Sequence, residues 1–319
     1  MSAGALANNR FRARARDPDA PAWVLAHRGD SFRAPENTVE AARLGHAAGA
    51  DAWELDVRLT RDGVAVVIHD ASLRRTTDIA TRCPGDPRGV SGFLVADFDL
   101  DEIRRLDAGG WFLDPLGGHR SAVAFGMLDL LGREDRHRYA SGGVCVPTLA
   151  DALILTRDLD WLVNVELKAD FVDGPALVAA VLAEVEAAGV EGRVLVSSFD
   201  HDLVAMVGRE CPGVATGVLT VHPLHRPDRY TREVVGADAY HPLASALEAS
   251  RGSGLRWEAL RLLREAGVAV FAFTVNDHGP GGLADRLAAA GVSGVFTDDP
   301  STLAARWRAA EKGGAIAGR

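Results

Sequence analysis

The sequence predicts an α/β protein of the TIM (β/α)8 barrel class, with a β-hairpin after strand 2 and a small inserted cap region. Two observations lead to this prediction. Short apolar runs alternate with amphipathic segments, which is typical of βαβ units and a parallel sheet. The runs number nine, one more than a closed eightfold barrel uses, and one pair is joined by a turn too short for a parallel crossover.

The predicted elements follow the chain in order. Apolar runs predict strands over Trp23–Ala26, Ala52–Leu59, Val64–Ile68, Trp161–Leu167, Val194–Phe199, Thr216–Thr220, Asp238–His241, Val268–Val275 and Gly294–Thr297. Amphipathic segments predict helices over Thr38–Ala48, Gly174–Ala188, Asp202–Arg209, Trp257–Ala266 and Gly282–Ala290. We expect Asn37, with Glu40 three residues later, to cap the first of these helices.

The third run is expected to fold back on the second. Asp62-Gly63 is a strong signal for a two-residue hairpin loop, so the third run is antiparallel and eight parallel units remain. With that loop, Asp56 is predicted to face His69 across the hairpin. His69 would then lie beside the two carboxylates of this strand at the C-terminal mouth of the barrel, where barrel enzymes place their chemistry.

The rest of the 319-residue chain divides into two tails and an insertion. Residues 1–20 are rich in Arg and Ala but lack the apolar stretch of a secretory signal, so we expect a disordered N-terminal tail. The barrel domain is predicted over 21–308. It is interrupted by a cap over 71–146, where the βα alternation stops, and 309–319 is predicted to be a flexible C-terminal tail.

Composition and charge exclude several classes of protein. The chain is 47% apolar and 25% charged, as soluble globular proteins are, and its net charge of −9 argues against nucleic acid or anionic membrane partners. The three cysteines are widely spaced and form no C-x-x-C pair, which argues against a disulfide framework or a Cys-rich zinc site. No apolar run is long enough for a membrane span. We expect a cytoplasmic monomer or homodimer without stable membrane association.

Four strand ends carry polar residues where a barrel interior would otherwise be apolar. They are His27-Arg28, Glu54 with Asp56, His69-Asp70, and Asn164 with Glu166 and Lys168. Taken singly, each fits a satisfied structural residue or a solvated strand edge. Together they bring charge to one mouth, and burying unpaired charge there is costly unless something compensates.

A divalent cation would supply that compensation. Glu54, Asp56 and Glu166 provide three carboxylates and no thiol, a hard-oxygen set that suits Mg²⁺ or Ca²⁺ better than zinc. The sequence therefore predicts one divalent cation, Mg²⁺ or Ca²⁺, at the mouth.

Two cations and two histidines accompany the carboxylates. Arg28 and Lys168 suit the non-bridging oxygens of a phosphate. His27 and His69 belong to the residue type that titrates near neutrality, and they complete an acid–base pair. Metal, cations and paired imidazoles together predict cleavage of a phosphodiester.

A series of motifs extends this pattern from about residue 23 to 303. They are His27-Arg28-Gly29, Pro35-Glu36-Asn37-Thr38, Glu54-Leu55-Asp56-Val57, Thr60-x-Asp62-Gly63, His69-Asp70, Leu106-Asp107-Ala108-Gly109, Trp111-Phe112, Val146-Pro147-Thr148-Leu149, Asn164-x-Glu166-x-Lys168, Ser197-Ser198-Phe199, Thr274-Val275-Asn276 and Thr297-Asp298-x-Pro300. In order and spacing the series resembles the glycerophosphodiester phosphodiesterase family of PLC-like phosphodiesterase TIM barrels. Residues 113–143 match none of its motifs, and Phe273 stands where many relatives have Trp.

The resemblance implies metal-dependent hydrolysis of a small-molecule glycerophosphodiester, such as glycerophosphocholine or glycerophosphoethanolamine, to sn-glycerol 3-phosphate and an alcohol. A cyclic phosphate intermediate is expected. The implied roles are general acid–base catalysis by His27 and His69, metal binding by Glu54, Asp56 and Glu166, and phosphate or substrate binding by Arg28 and Lys168.

Three other functions are alternatives to this one. One is a lysophospholipase D or sphingomyelinase D-like activity on longer lipids, against which the lack of a basic or amphipathic docking surface counts. Another is a barrel that binds a phosphorylated ligand without catalysis. Such a barrel would be expected to lack at least one of the seven residues with the roles given above, and all seven are present. A zinc amidohydrolase barrel is disfavoured because no His-x-His motif ends the first strand.

Several further residues receive smaller roles. Glu36 and Asn37 are expected to brace the mouth, and Trp111 with Phe112 to form a small core of the insertion. Asp70 is expected either to orient His69 or to support the metal site indirectly, and a simple turn residue is an equal alternative. Asp298 and Asp299 are expected to close the last βα turn. Surface roles are expected for His222, His225 and His241.

Overall fold

Eight parallel strands close into a barrel in the computed structural model, which confirms the predicted fold class. The structure describes residues 9–17, 19–114, 128, 131–248 and 254–312. The strands are β1 (Trp23–Ala26), β2 (Ala52–Leu59), β3 (Ala65–Val67), β4 (Val163–Leu167), β5 (Val194–Ser198), β6 (Ala215–Thr220), β7 (Ala239–Pro242), β8 (Ala269–Ala272) and β9 (Gly294–Thr297). β1 pairs with both β2 and β9, which closes the ring.

Helices lie around the barrel, across its N-terminal end and in the inserted cap. They are Arg10–Arg16, Val39–Ala47, Ile79–Arg82, Leu100–Ile103, Arg133–Ala140, Leu149–Asp158, Gly174–Ala188, His201–Glu210, Pro227–Arg229 continuing as the π-helical Tyr230–Val235, Trp257–Glu265, Leu283–Ala289 and Pro300–Lys312. Short 3-10 turns cover Pro87–Gly89, Val95–Asp97, Gly110–Leu113, Glu191–Arg193 and Ala244–Leu247. In the described part of the chain, no helix has the length and apolarity that crossing a membrane would require.

The first βα helix begins one residue later than predicted. Its cap is Thr38, whose hydroxyl accepts a hydrogen bond from the Ala41 amide at 3.2 Å. The expected cap, Asn37, has φ +59° and uses its side chain at the barrel mouth instead. The helix Leu149–Asp158, which the sequence reading did not include, begins with a reciprocal capping box between Thr148 and Asp151.

β3 does fold back antiparallel on β2, but its register differs by one residue from the prediction. Leu59 pairs with Ala65 and Val57 with Val67, so Asp56 lies opposite Ile68 rather than His69. The reason is the turn: Thr60 donates its amide to the Val64 carbonyl, and its hydroxyl accepts from the Val64 amide. The loop is therefore three residues long and ends on Gly63, whose φ of +80° is typical of this hairpin type.

Helix Arg10–Arg16 contradicts the expected disorder for its part of the 1–20 tail, of which residues 1–8 and 18 lie outside the described residues. Phe11 is fully buried at the N-terminal end of the barrel, where its ring meets Phe271 edge-on with the centroids 6.1 Å apart. Asn9 caps the helix and donates hydrogen bonds to the carbonyls of Glu191 and Val194 at 2.8 and 2.9 Å. Tertiary contacts, which an Arg- and Ala-rich sequence does not reveal, hold this segment on the barrel.

The insertion has a hydrophobic core of its own. Phe112, as expected, belongs to it, and Trp111 packs against it. The core is continuous with Val66 and Ile68 of the hairpin, so β3 is the base on which the cap rests. The first half of the cap, up to Asp114, is described, and most of 115–130 lies outside the described residues.

Candidate active site

Two neighbouring strands bring three carboxylates together at the C-terminal mouth. β2 and β4 are parallel and in register, with Asp56 beside Glu166 and Glu54 beside Asn164. Glu54, Asp56 and Glu166 are all buried, and one carboxylate oxygen of each lies within 4.8 Å of those of the other two. The sequence placed these three side chains at one mouth, and the structure brings them into one cluster.

The cluster has the chemistry of a cation site. Glu54 Oε1 and Asn164 Oδ1 are buried and accept no hydrogen bond from the described residues. Burial, reinforced by the charge of Asp56, raises the pKa of both Glu54 and Glu166. A divalent cation would satisfy the unpartnered oxygens and reverse the cost of placing like charges side by side, so the residues present fit Mg²⁺ or Ca²⁺.

Asp56 is the most strongly paired of the three acids. Arg28 Nε lies 3.2 Å from its Oδ2, and Lys168 Nζ lies 3.1 Å from its Oδ1. Burial alone would raise its pKa, but these two cations hold the pKa of Asp56 well below its ordinary value. The Lys168 ammonium also contacts Glu166. Both predicted phosphate-binding cations therefore lie directly against the acidic cluster.

The turn after β1 places Arg28. Its φ is +56°, and the following Gly29 is also left-handed at +82°, where a Cβ would lie 2.4 Å from the Ala41 carbonyl carbon. This backbone path turns the Arg28 amide toward Glu54 Oε2, which accepts its hydrogen bond at 3.0 Å. Glu36 accepts from the Arg28 guanidinium at 2.8 Å. The sequence His-Arg-Gly thus fixes both ends of the arginine.

Asn37 and Glu36 brace the mouth, as expected. Asn37 donates its side-chain amide to Asp56 Oδ2 at 2.8 Å and accepts from the Asp56 backbone amide at 3.2 Å. Glu36 lies between Arg28 and Arg75 with 13% of its side chain exposed, and although burial disfavours its charge, these guanidiniums lower its pKa to about 2. Arg75 belongs to the cap and was not identified from the sequence.

His27 is oriented by Asp298, for which the sequence predicts only a turn role. Its Nδ1 lies 2.6 Å from Asp298 Oδ1, and Asn276 donates to the other oxygen of Asp298 at 2.6 Å. His27 Nε2 is left facing the cluster, 3.9 Å from Glu54 Oε2. Burial and Arg28 oppose protonation, yet Asp298 raises the pKa of His27 overall. Asp298 follows β9, so the rule that polar strand ends mark the site would have found it.

His69 lies on the other side of the mouth, after β3. Its Nδ1 is 2.7 Å from Asp70 Oδ1, which supports the orienting reading of Asp70. Its carbonyl accepts from Arg58 Nε at 2.8 Å. The two histidines share one arrangement: Nδ1 is held by a carboxylate, and this selects the tautomer in which Nε2 exchanges protons.

Aromatic side chains lie at the mouth in the loops that follow β5 and β8. Phe199 and Phe273, after β5 and β8, meet edge-on with centroids 6.0 Å apart, and Lys168 Nζ lies 5.9 Å from the Phe199 centroid. His222 and His225 are exposed, as expected. His241 is not: it is fully buried inside the barrel against Phe271 and Phe296, and the expectation of a surface role for it is wrong.

Known proteins share both the sequence pattern and the fold. A family model described as "Glycerophosphoryl diester phosphodiesterase family" matches residues 27–302. A glycerophosphodiester phosphodiesterase of Caldanaerobacter subterraneus subsp. tengcongensis is 33% identical over 284 residues, covering 88% of this chain and 95% of that protein. The resemblance inferred from the motifs is confirmed.

Two solved structures agree with these matches. An Oleispira antarctica phosphodiesterase in complex with the product sn-glycerol-3-phosphate superposes with a TM-score of 0.67 at 25% identity, covering 90% of this chain and 97% of that one. A glycerophosphodiester phosphodiesterase from Agrobacterium tumefaciens str. C58 superposes with a TM-score of 0.63 at 27% identity, covering 89% and 99%. This chain therefore belongs to the glycerophosphoryl diester phosphodiesterase family.

Proposed function

We propose that this enzyme hydrolyses small glycerophosphodiesters, such as glycerophosphocholine and glycerophosphoethanolamine, to sn-glycerol 3-phosphate and an alcohol, with one divalent cation. The observation that carries the proposal is the buried cluster of Glu54, Asp56 and Glu166, whose oxygens lie within 4.8 Å of one another. Two cations and two oriented histidines surround it. The product bound by the Oleispira antarctica relative supports the same chemistry here.

Glu54, Asp56 and Glu166 are the proposed ligands of Mg²⁺ or Ca²⁺. A bound divalent cation would supply positive charge that favours a pentacoordinate phosphorus with more negative oxygens over the ground state. Because burial raises the pKa values of Glu54 and Glu166 in its absence, cation binding should release protons.

Arg28 and Lys168 are the proposed partners of the phosphate oxygens. Both touch Asp56, so their charges are already gathered at the mouth before substrate arrives. An anionic phosphodiester entering there finds donors whose positions are fixed by Glu36, Asp56 and Glu166. Preorganised charge of this kind stabilises the transition state without further rearrangement.

His27 and His69 are the proposed acid–base pair. One imidazole Nε2 accepts the proton of the glycerol hydroxyl that neighbours the phosphate. The oxygen of this hydroxyl then forms a bond to phosphorus. The bond from phosphorus to the leaving alcohol breaks as the other imidazolium donates a proton to that oxygen, which leaves a cyclic phosphate. Water then opens the ring, the two histidines exchange roles, and the initial protonation state returns.

The decisive experiment is incubation of the purified protein with glycerophosphocholine and glycerophosphoethanolamine, with Mg²⁺, with Ca²⁺ or with EDTA. We expect sn-glycerol 3-phosphate to appear in the metal-containing reactions and to disappear after thorough chelation. Full activity in EDTA would contradict the metal assignment. Absence of the product from every diester and every metal would contradict the proposed hydrolysis and favour a binding-only barrel.

An activity on longer lipids, similar to lysophospholipase D or sphingomyelinase D, is a second candidate because apolar side chains are exposed at the mouth. Phe171, Phe199 and Val221 follow β4, β5 and β6 and are 70%, 45% and 44% exposed. Such a rim favours an alcohol with an apolar portion. Turnover of lysophosphatidylcholine exceeding that of glycerophosphocholine would assign this activity, and the reverse order would assign the small-diester reaction.

The expected cytoplasmic location, and a monomeric or homodimeric state, stay predictions. Fractionation of the native host cells and light scattering of the purified protein test them.

A further inference from the structure

The inserted cap reaches the mouth of the barrel through Arg75. The Arg75 guanidinium donates to both oxygens of Glu36, at 2.8 and 2.7 Å, and to both oxygens of Asp70, at 2.7 and 2.9 Å. Its side chain is largely buried, at 15% exposure. Two carboxylates held at once in this way require a planar, forked donor, which arginine has and lysine lacks.

Each of these carboxylates in turn holds a residue of the proposed machinery. Asp70 Oδ1 lies 2.7 Å from His69 Nδ1, and Glu36 Oε1 accepts from the Arg28 guanidinium at 2.8 Å. Only one carboxylate therefore separates Arg75 from a proposed acid–base histidine, and only one separates it from a proposed phosphate-binding arginine. Those two residues come from different loops, after β3 and after β1, and Arg75 links them.

The charges of this network are interdependent. Burial opposes the ionised form of both acids, but Arg28 and Arg75 lower the pKa of Glu36, and His69 and Arg75 lower the pKa of Asp70. Both acids are therefore ionised at neutral pH. Without Arg75, each carboxylate would lose two charge-assisted hydrogen bonds and would be free to change the geometry of the catalytic group it holds.

We propose that Arg75 is a positioning residue that couples the cap to the reaction, fixing His69 through Asp70 and Arg28 through Glu36. The inference rests on the proposed function, because it assigns the cap a role in that same site. Displacing the cap far enough to break these hydrogen bonds would release His69 and Arg28 together.

The test compares Arg75→Met and Arg75→Lys in the full-length, Mg²⁺-loaded protein. We expect Arg75→Met to lower kcat by about 100-fold, with a smaller change in KM, since misplacement of reacting groups acts mainly on the chemical step. Arg75→Lys should recover part of the loss, because an ammonium can engage one carboxylate but cannot bridge two bidentately.

Arg74→Met is the matched control. Arg74 is the preceding cap arginine, lies 4.5 Å from the Phe93 centroid and donates to the Gly89 carbonyl at 2.8 Å, so its described contacts are within the cap. We expect Arg74→Met to keep kcat within about twofold of the wild type. Equal losses in Arg74→Met and Arg75→Met would mean that general disturbance of the cap, and not the Arg75 network, lowers activity.

Two further readouts separate positioning from a merely structural role. Nitrogen-15 NMR of the His69 ring, recorded without substrate, should show the Nδ1–H tautomer in the wild type and a mixture in Arg75→Met. Combining Asp70→Asn with Arg75→Met should lower kcat no more than the worse single variant, because both changes release the same histidine. If Arg75→Met does not fold, Arg75→Lys carries the same readouts.

Wild-type kcat together with an unchanged His69 tautomer in Arg75→Met, or losses that multiply in the double variant, would overturn the proposal. A wild-type protein inactive on every diester would instead contradict the proposed function. The NMR comparison still decides the role of Arg75 in that case, because it needs no turnover.

Discussion

The two ends of the barrel use the same strands for opposite purposes. At the N-terminal end, the inward side chains form one apolar cluster closed by Phe11: Leu25, Ala52, Leu162, Leu195, Ala215, Ala239, Ala269, Phe271 and Phe296. At the C-terminal end, β1, β2 and β4 lead into the charged residues of the mouth. Inward positions recur every two residues, so the change occurs within about 7 Å along a strand.

The difference shows where this fold gains stability and where it gives stability up. Burial of apolar surface stabilises the N-terminal end, where Asp160 is the one described non-glycine residue with a positive φ. Of the five non-glycine residues with positive φ in the described chain, three lie in loops after β1 and β4: Arg28, Asn37 and Phe171. Left-handed backbone at such residues costs about 1–3 kcal/mol each. Strain and buried charge are concentrated at the mouth, where they position the proposed catalytic groups.

The largest effect is expected at the mouth. His27→Gln should lower kcat/KM by about 10³- to 10⁴-fold, because proton transfer loses its donor and acceptor while the side chain keeps a similar size. Product release assays give the rate, and thermal melting should show little loss of stability. A rate near that of the wild type would remove His27 from the acid–base pair.

At the N-terminal end of the barrel, a single substitution is expected to lower the stability of the protein and not its activity. Phe11→Ala removes a fully buried ring and should cost about 3–5 kcal/mol of unfolding free energy, measured by urea denaturation. Activity per folded molecule should stay close to the wild-type value. Val234→Ala, at a side chain that is 71% exposed, is the control and should cost less than about 0.5 kcal/mol. A strong loss of activity in folded Phe11→Ala would break the division between the two ends.

Asp298→Asn tests whether the orientation of His27 makes a separate contribution to the reaction rate. The amide keeps the shape but removes the charge that raises the pKa of His27, so the limb that His27 contributes to the pH–rate profile should move to lower pH. We expect kcat to fall by about 100-fold, since the wrong tautomer of His27 becomes accessible. An unchanged profile would show that Asp298 does not act through His27.

His241 lies between the two ends and should give the smallest effect. Burial lowers the pKa of His241 to about 3 from its ordinary 6.5, so below pH 6.5 the unfolded chain binds a proton that the folded chain does not. Stability should therefore fall as pH falls through this window, by about 2 kcal/mol between pH 7 and pH 5. His241→Leu should lose that part of the pH dependence in urea titrations, whereas His222→Leu, at an exposed position, should keep it.

Much of the N-terminal end of the barrel, and of the carboxylate cluster, could be predicted because strand periodicity is local information. The apolar run of β2 carries Glu54 and Asp56 two residues apart, so a single segment places both side chains inward at the mouth. The hairpin register was missed because the Thr60 hydroxyl, and not the loop dipeptide, decides how the turn closes. One side-chain hydrogen bond there shifts every cross-strand neighbour.

Which residues the orienting side chains hold could not be predicted, because these pairs join distant segments of the chain. Asp298 holds His27 across 271 positions of the chain, and Arg75 reaches Glu36 from an insertion whose fold has no periodic signal. His241 appeared to be a loop-side histidine because its burial arises from the aromatic rings of β8 and β9. Phe11 was missed for the same reason, since its burial partners come from β1 and β8.

The docking of helix Arg10–Arg16 at the N-terminal end of the barrel also constrains the order of folding. Asn9 donates to the carbonyls of Val194 and Gly213, which lie 185 and 204 residues further along the chain. During synthesis these partners leave the ribosome long after helix Arg10–Arg16 does, so this helix cannot complete its docking until the chain has been made through Gly213. Loop closure over such separations is slow. Docking of the first helix is therefore a late event in the assembly of the barrel.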